Sequence, residues 1–490
     1  MTAWEPYFTF FQYCLGSFRS HRYLQPGSGQ GWHASRRPAS RTGLTARPLM
    51  RGPVRSTFRQ RLSGLRRTAF PAEIAITEKN LPLPVAAPLA HGTDRSRAPG
   101  IDLLRAAAIV AVMLYHITSH GIALPAIVEH GWMGVDLFFV LSGYLIGWQL
   151  WRQYAQGATP DWRKFMAGRA LRILPAYYVV LVLYVLLPAW REGGDLQPPW
   201  KFVTFTLNLL PDWEQGTAYS HAWSLCVEEH FYLLFPAVAW LLARRPGALP
   251  AAATAVGLVG GGMLLRAWLW RDGVAPYLDA GDTGTAMRQY VATIYNPTWS
   301  RLDGLLMGVL LAAVRAFRPG WWAWLMRRAW LSLAIGAVLL ACGTRIAPMS
   351  AAGAVVLFPL VALGCTCLLA GAASPATWIG RRALPGVASL AMLAFSLYLT
   401  HKQVYGWLDA ALPGLGRQAP VLALLVYAGA SVAVAALLYL AIERPFLRLR
   451  DRWLSEKADS AAAVISSVAP AGVAGSPGPS SAPRATPSDS

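Results

Sequence analysis

Charge is scarce in this chain. Asp, Glu, Lys and Arg make up only 14% of its 490 residues, against roughly 25% in an average soluble domain. Hydrophobic residues make up 55%, and mean hydropathy is +0.36. That balance excludes a water-soluble globule, and the wealth of apolar residues excludes disorder as the state of the whole chain. Cysteine is scarce too: of five, only Cys365 and Cys367 stand close together, inside an apolar run, so neither a disulfide framework nor a zinc-type pair is present. His116 and His120 are spaced i,i+4, but beyond His130 in a loop no third ligand accompanies them, and no metal or bound cofactor is expected. An internal repeat is also missing, which counts against transporter folds built from inverted repeats. What remains is an all-α, multi-pass membrane protein, with nothing that directs it to nucleic acid.

The charge that is present is unevenly spread. Net formal charge is +20, and residues 1–98 hold about +11 of it, with fourteen Arg and one Lys against Glu5, Glu73, Glu78 and Asp94. Rich in Arg, Pro, Gly and Ser, this arm cannot bury enough apolar surface to offset its ordering entropy and is expected to be disordered. Tyr7 to Phe18 is apolar, but it is short and no basic region precedes it, so it matches a signal peptide poorly. A start at Met50 or later would leave the membrane part intact. Residues 453–490, rich in Ala, Ser and Pro, are expected to form a second disordered, solvated extension.

Between these lies a membrane domain, residues 99–452. Its apolar segments fall near 101–118, 132–151, 173–189, 224–243, 251–270, 299–317, 329–343, 351–372, 387–410 and 420–442, which gives a bundle of about ten transmembrane helices. Arginines cluster after the even-numbered segments: Arg152, Arg163, Lys164, Arg169 and Arg172, then Arg244 and Arg245, Arg315 to Arg328, Arg381 and Arg382, and Arg444 to Arg452. The positive-inside rule then puts both termini in the cytoplasm, with membrane lipids around the helices. Residues 201–211 are too short to span and are expected to be interfacial or re-entrant.

Ionisable groups inside apolar helices are costly and point to function. Arg105 stands eleven residues before His116 in the first segment; at 3.6 residues per turn both face one side, roughly 16 Å apart along the axis. Arg105 also reads as a snorkelling anchor, and His116 as one end of an interhelical hydrogen bond. Asp136 is a lone carboxylate a turn inside the second segment and needs a partner, while Ser142 and Gly143 suit close helix packing. Arg169 and Arg172, at i,i+3, form an anion clamp suited to phosphate. Ser224, Glu228 and Tyr232 make a polar stripe at i,i+4 with Glu229 beside it, and adjacent carboxylates need a proton or a partner, which suits acid–base work. Arg301 and Asp303, opening the sixth segment, are expected to supply that pairing.

Taken together, Arg105-x10-His116, GVDLFFVLSG over residues 134–143, Arg169-x-x-Arg172-Ile-x-Pro175 and Trp223-Ser-Leu-x-x-Glu228-x-x-Phe-Tyr232 resemble the motifs of acyltransferase family 3. Arg301-Leu-Asp303 with Gly308, Tyr398-Leu-Thr-His401 and Glu443-Arg444-Pro445 are similar to its later motifs, so the resemblance covers residues 98–452. It implies a ten-helix bundle that acylates sugars of surface glycans, an acyl-CoA donor from the cytoplasm, a catalytic histidine at His116 and donor-related roles for Arg105, Arg169 and Arg172. Cys226 and His230 stand where Ser and Gln are frequent in the family, which bears on acceptor preference. Some members carry an extra hydrolase-like domain, for which the short tail has no room.

The expectation is an O-acyltransferase moving an acyl group, acetyl first, from acyl-CoA to a hydroxyl of a carbohydrate or lipid-linked glycan. His116 would be general base or acyl carrier, and Glu228 would orient the imidazole or bind the acceptor. Asp136, Ser224, Glu229, Tyr232, Arg301, Asp303 and His401 would support the site or bind the acceptor. The rival classes are a secondary transporter or glycan exporter, whose pathways also hold buried charges, and a non-catalytic scaffold.

Overall fold

Apolar runs of this length in lipid have few options, because backbone polar groups must be satisfied within the segment, and a helix does that. The computed structural model describes residues 98–212, 216–244 and 248–455. Among them all regular structure is helical. The basic arm up to residue 97 and the tail from residue 456, both expected to be disordered, lie outside the described residues.

Eleven helices carry the fold: α1 (Pro99–Ile117), α2 (Met133–Ala155), α3 (Trp162–Leu186), α4 (Trp223–Arg244), α5 (Ala248–Gly273), α6 (Asp303–Phe317), α7 (Pro319–Arg327), α8 (Ala329–Gly343), α9 (Phe358–Ala372), α10 (Val387–Ala411) and α11 (Pro420–Leu438). Local signals set several starts. Pro99 occupies the first turn of α1, where a missing N–H costs nothing. Asp161 caps α3 by accepting from the Arg163 and Lys164 amides at 2.9 and 3.1 Å. Pro175 and Pro236 sit inside α3 and α4, as membrane helices tolerate.

Each of the ten predicted segments coincides with a helix, but the number of spans is lower by length and composition. Among the described residues seven stretches are long and apolar enough to cross a membrane, and α7 with α8, bent by 78° at their junction, would make an eighth. Helix α6 has 15 residues, about 22 Å at 1.5 Å per residue. The polar run from Thr400 to Gln403 dilutes α10. Residues 201–211 do not span: Pro199–Val203 is a single helical turn, tied to α3 by the Tyr177 and Tyr178 hydroxyls donating to the carbonyls of Phe202 and Val203 at 3.0 and 3.1 Å.

Helices α2 and α6 share the most extensive helix–helix contact among the described residues. Gly143 and Gly147 on α2 face Gly304 and Gly308 on α6, a small-xxx-small stripe on each helix. A Cβ on Gly143 would strike the Leu305 carbonyl oxygen and one on Gly308 the Val140 carbonyl oxygen, so only glycine permits this crossing. Gly143 therefore packs as expected, whereas Ser142 turns elsewhere. Helix α2 also packs on α1 and α4, and α10 on α1 and α3, so that α1, α2, α3, α4 and α10 enclose one interior space.

Candidate active site

That space is an open-mouthed cavity, about 920 Å3 with the open solvent at its mouth counted in. Arg105 of α1, Arg169 and Arg172 of α3, and Glu228 and Tyr232 of α4 all line it. The i,i+3 spacing on α3 puts both arginines on the cavity side. Glu228 accepts from the Tyr232 hydroxyl and, at 3.2 Å, from the Ser142 hydroxyl. Arg169 lies over the Tyr232 ring, 5.4 Å from its centroid, and donates to Gln149 Oε1 at 3.4 Å. Among the described residues none of the three arginines has a carboxylate within ion-pair distance. Three cations thus share one cavity with hydrogen-bonding capacity to spare.

Ser224 and Tyr398 form the far wall. Tyr398 donates to the His221 carbonyl oxygen at 2.9 Å, and its hydroxyl is 2.6 Å from Ser224 Oγ. One turn further along α10 stands His401, fully buried, with Nε2 2.9 Å from His116 Nδ1. The two rings lie 5.0 Å apart at 30°, and the His221 ring is 5.4 Å from that of His401. Arg105 thus lines the cavity, while His116, further along α1, meets α10 through His401. The partner of the His116 imidazole is His401, which corrects the expectation that Glu228 could orient it: Glu228 is committed to Tyr232 and Ser142.

Other predicted residues fall outside the cavity. Arg301 pairs with Asp136 at 2.8 Å, and Asp303 pairs with Arg266 of α5 at 2.8 Å. These pairs bury all four side chains. Arg301 and Asp303 thus leave Glu228 and Glu229 without the pairing expected of them, because the short α6 docks on α2, which carries Asp136, and on α5 rather than along the polar stripe of α4. Glu229 does not line the cavity, and its Oε1 is buried without a hydrogen-bond partner among the described residues.

Some participants escaped the sequence reading. Ser142 passed for a packing residue. Glu443, noted only as part of a motif and given no place in the site, is hydrogen-bonded to Ser396 at 2.8 Å and lines the cavity. Lys402 donates to Ser220 Oγ at 2.9 Å and lies 3.9 Å from Glu192, a loop residue whose carboxyl is pushed up by burial. Arg266 and Lys402 were detectable, since each is a charge inside an apolar segment. Among the described residues no group of three or more His, Cys, Asp or Glu is placed to hold a metal ion.

The chain is 31% identical over 157 residues to the peptidoglycan O-acetyltransferase OatA of Listeria monocytogenes, covering 29% of this chain and 24% of that protein. It is 28% identical over 230 residues to the O-acetyltransferase OatA of Staphylococcus aureus, covering 44% of this chain and 34% of that one. The chain thus spans about a quarter to a third of the length of these curated relatives. No solved structure shows significant similarity to it. A family model described as an acyltransferase domain matches residues 99–440, most of the helical region, and on that match the chain belongs to acyltransferase family 3.

Proposed function

We propose that the protein is an integral membrane O-acyltransferase that moves an acetyl group from acetyl-CoA to a hydroxyl of a glycan. The observation that carries this reading is the cavity whose three arginines lack acidic partners and whose far wall, Tyr398, leads within one helical turn to the His116–His401 pair. Guanidinium groups bind phosphate oxygens through parallel hydrogen bonds, so Arg105, Arg169 and Arg172 hold the anionic nucleotide end of the donor. The thioester arm then extends toward His116. Acyl transfer from thioester to alcohol forms a C–O bond and breaks the C–S bond; His116 removes the hydroxyl proton, which ends on the departing thiolate. Alternatively the imidazole first takes the acyl group itself. Glu228, Tyr232 and Ser224 present hydrogen-bonding groups to the substrates at the cavity wall. The acceptor is a cell-surface or lipid-linked glycan, the class to which the peptidoglycan named for the Listeria relative belongs.

In this reading the arginine end faces the cytoplasm, where acyl-CoA is found, and the protein sits in the bacterial inner membrane with its termini inside. Single cysteines placed in 152–172 and in 271–298 of a cysteine-free variant should label from opposite sides of the membrane. The function itself is tested by mass analysis of surface glycans from cells with and without the protein, together with CoA release by purified protein in lipid. Glycan esters unchanged and no CoA released would defeat the proposal.

A further inference from the structure

We infer that His401 fixes the tautomer of His116, leaving Nε2 of His116 as the one basic nitrogen of the pair that can meet substrate. The inference deepens the functional reading and rests on it for its catalytic consequence. It begins with two carbonyls. Nδ1 of His401 lies 2.9 Å from the Leu397 oxygen and 3.0 Å from the Tyr398 oxygen, both in its own helix. Carbonyl oxygens only accept, so this Nδ1 carries the hydrogen. A neutral imidazole has a single N–H, and Nε2 of His401 is then a lone pair. That lone pair is 2.9 Å from His116 Nδ1, and a hydrogen bond between them requires His116 Nδ1 to donate. The proton of His116 is thereby committed to Nδ1, and its Nε2 is bare.

The surroundings suit a neutral pair. His401 is completely buried, and among the described residues no carboxylate is hydrogen-bonded to His116, His401 or His221. A buried charge calls for such a partner. The nearby ammonium of Lys402 is directed to Ser220 and Glu192 instead. His221 repeats the device: its Nε2 lies 3.3 Å from the Leu399 carbonyl oxygen. His116 itself is only half-buried, and no side chain or carbonyl among the described residues hydrogen-bonds its Nε2.

Both chemical routes need that lone pair. As general base, Nε2 accepts the hydroxyl proton while the oxygen attacks the thioester carbonyl, and passes it to the thiolate as the C–S bond breaks. As acyl carrier, Nε2 forms the N–C bond while the C–S electrons leave with sulfur. With the proton on Nε2 instead, the basic nitrogen would face His401 and neither route would start. His401 is on this argument a positioning residue, acting through His116 without touching substrate.

The test reads the tautomer directly, in full-length protein labelled with 15N-histidine and held in lipid bilayers. His116 signals are identified by their loss in His116→Ala. We expect a protonated Nδ1 and a bare Nε2 at His116 in the wild type, and a mixture of tautomers in His401→Ala. A proton on His116 Nε2, or protons on both nitrogens of His401 in the wild type, would overturn the inference. Kinetics supply the second arm. His401→Leu should lower kcat about 10²-fold with donor KM unchanged, while His401→Gln, whose amide oxygen can accept from Nδ1, should stay within about tenfold of wild type. Equal loss in Leu and Gln variants would also overturn it. Full activity in His116→Ala with the expected tautomer intact would instead defeat the functional reading and leave the tautomer assignment standing.

Discussion

Two groups of arginines in this bundle, one buried and one half-buried, are treated in opposite ways. Behind the cavity, Arg301 and Arg266 each face an aspartate at 2.8 Å, and the Arg301 guanidinium is also stacked over Phe358, 4.2 Å from its centroid. Arg266 further donates to the carbonyls of Ser300 and Val355. Most of their hydrogens are spent within the protein, Arg266 Nε alone having no partner among the described residues. Around the cavity, Arg105, Arg169 and Arg172 have no such acid among the described residues, and the two acids that line the cavity with them, Glu228 and Glu443, are held by hydroxyls of Tyr232, Ser142 and Ser396. A half-buried charge without an acidic partner is retained at some cost of stability, which a bound anion relieves. On the proposed reading the closed group belongs to the fold and the open group to a ligand, although sequence alone presents both as arginines in or beside apolar segments.

The sharpest separation should come from removing chemistry without touching either set of charges. His116→Ala should lower acyl transfer by about 10²- to 10⁴-fold, with expression, membrane insertion and melting temperature close to wild type. Activity surviving near the wild-type rate would remove His116 from the mechanism. Labelled acetyl-CoA without acceptor distinguishes the two routes: label retained on wild type but not on the variant marks an acyl-histidine.

The closed group should respond in the reverse sense. Asp136→Asn strands the Arg301 guanidinium in the interior and should destabilise the fold by about 3–5 kcal/mol, read as loss of detergent-stable protein and a lower Tm. Asp136→Leu combined with Arg301→Met removes both charges and should recover most of that loss. If Asp136→Asn folds normally and loses only activity, the pair is part of the site and the contrast drawn above fails.

Much of this architecture could be read from the chain before any coordinates, because apolar runs report helices directly. The α3 arginines were legible for the same reason: an i,i+3 pair shares a face whatever the tertiary structure. Rotation and partnership were not legible. Ser142 and Gly143 are neighbours in sequence, yet Gly143 meets α6 while Ser142 meets Glu228, a choice made by how α2 turns about its axis. The His116–His401 contact joins positions 285 residues apart, and one sequence holds no trace of such a pairing. The assignment of Arg301 and Asp303 to the α4 acids failed on the same ground, since position at the start of a helix says nothing about which neighbour it docks against. The short α6 and the polar centre of α10 explain why a count of spans from hydrophobicity alone is unsafe.

A milder effect is expected from Arg169→Lys with Arg172→Lys. Positive charge is kept, so orientation and folding should persist, while planar two-point contacts to phosphate are lost. Donor affinity should weaken about tenfold, roughly 1.4 kcal/mol, with kcat at saturating donor less affected. Unchanged affinity by titration with CoA would reduce the pair to a topology signal and place the donor elsewhere.

The smallest change is Glu228→Gln, and it tests whether the open group acts as a unit. The carboxylate accepts from both Tyr232 and Ser142; an amide retains one acceptor oxygen and turns an NH2 toward the other hydroxyl. One hydrogen bond is lost or must rotate, costing about 1 kcal/mol, so Tm should fall by a few degrees at most. The arginines keep all their donors, and a negative charge leaves the wall of a cavity meant for an anion. Donor KM should therefore stay level or fall, even where turnover drops several-fold because a substrate hydroxyl has lost its acceptor. A rise in donor KM as large as that of the double lysine variant would mean that Glu228 sets the geometry of Arg169 and Arg172, and that the open arginines are held by an acid after all.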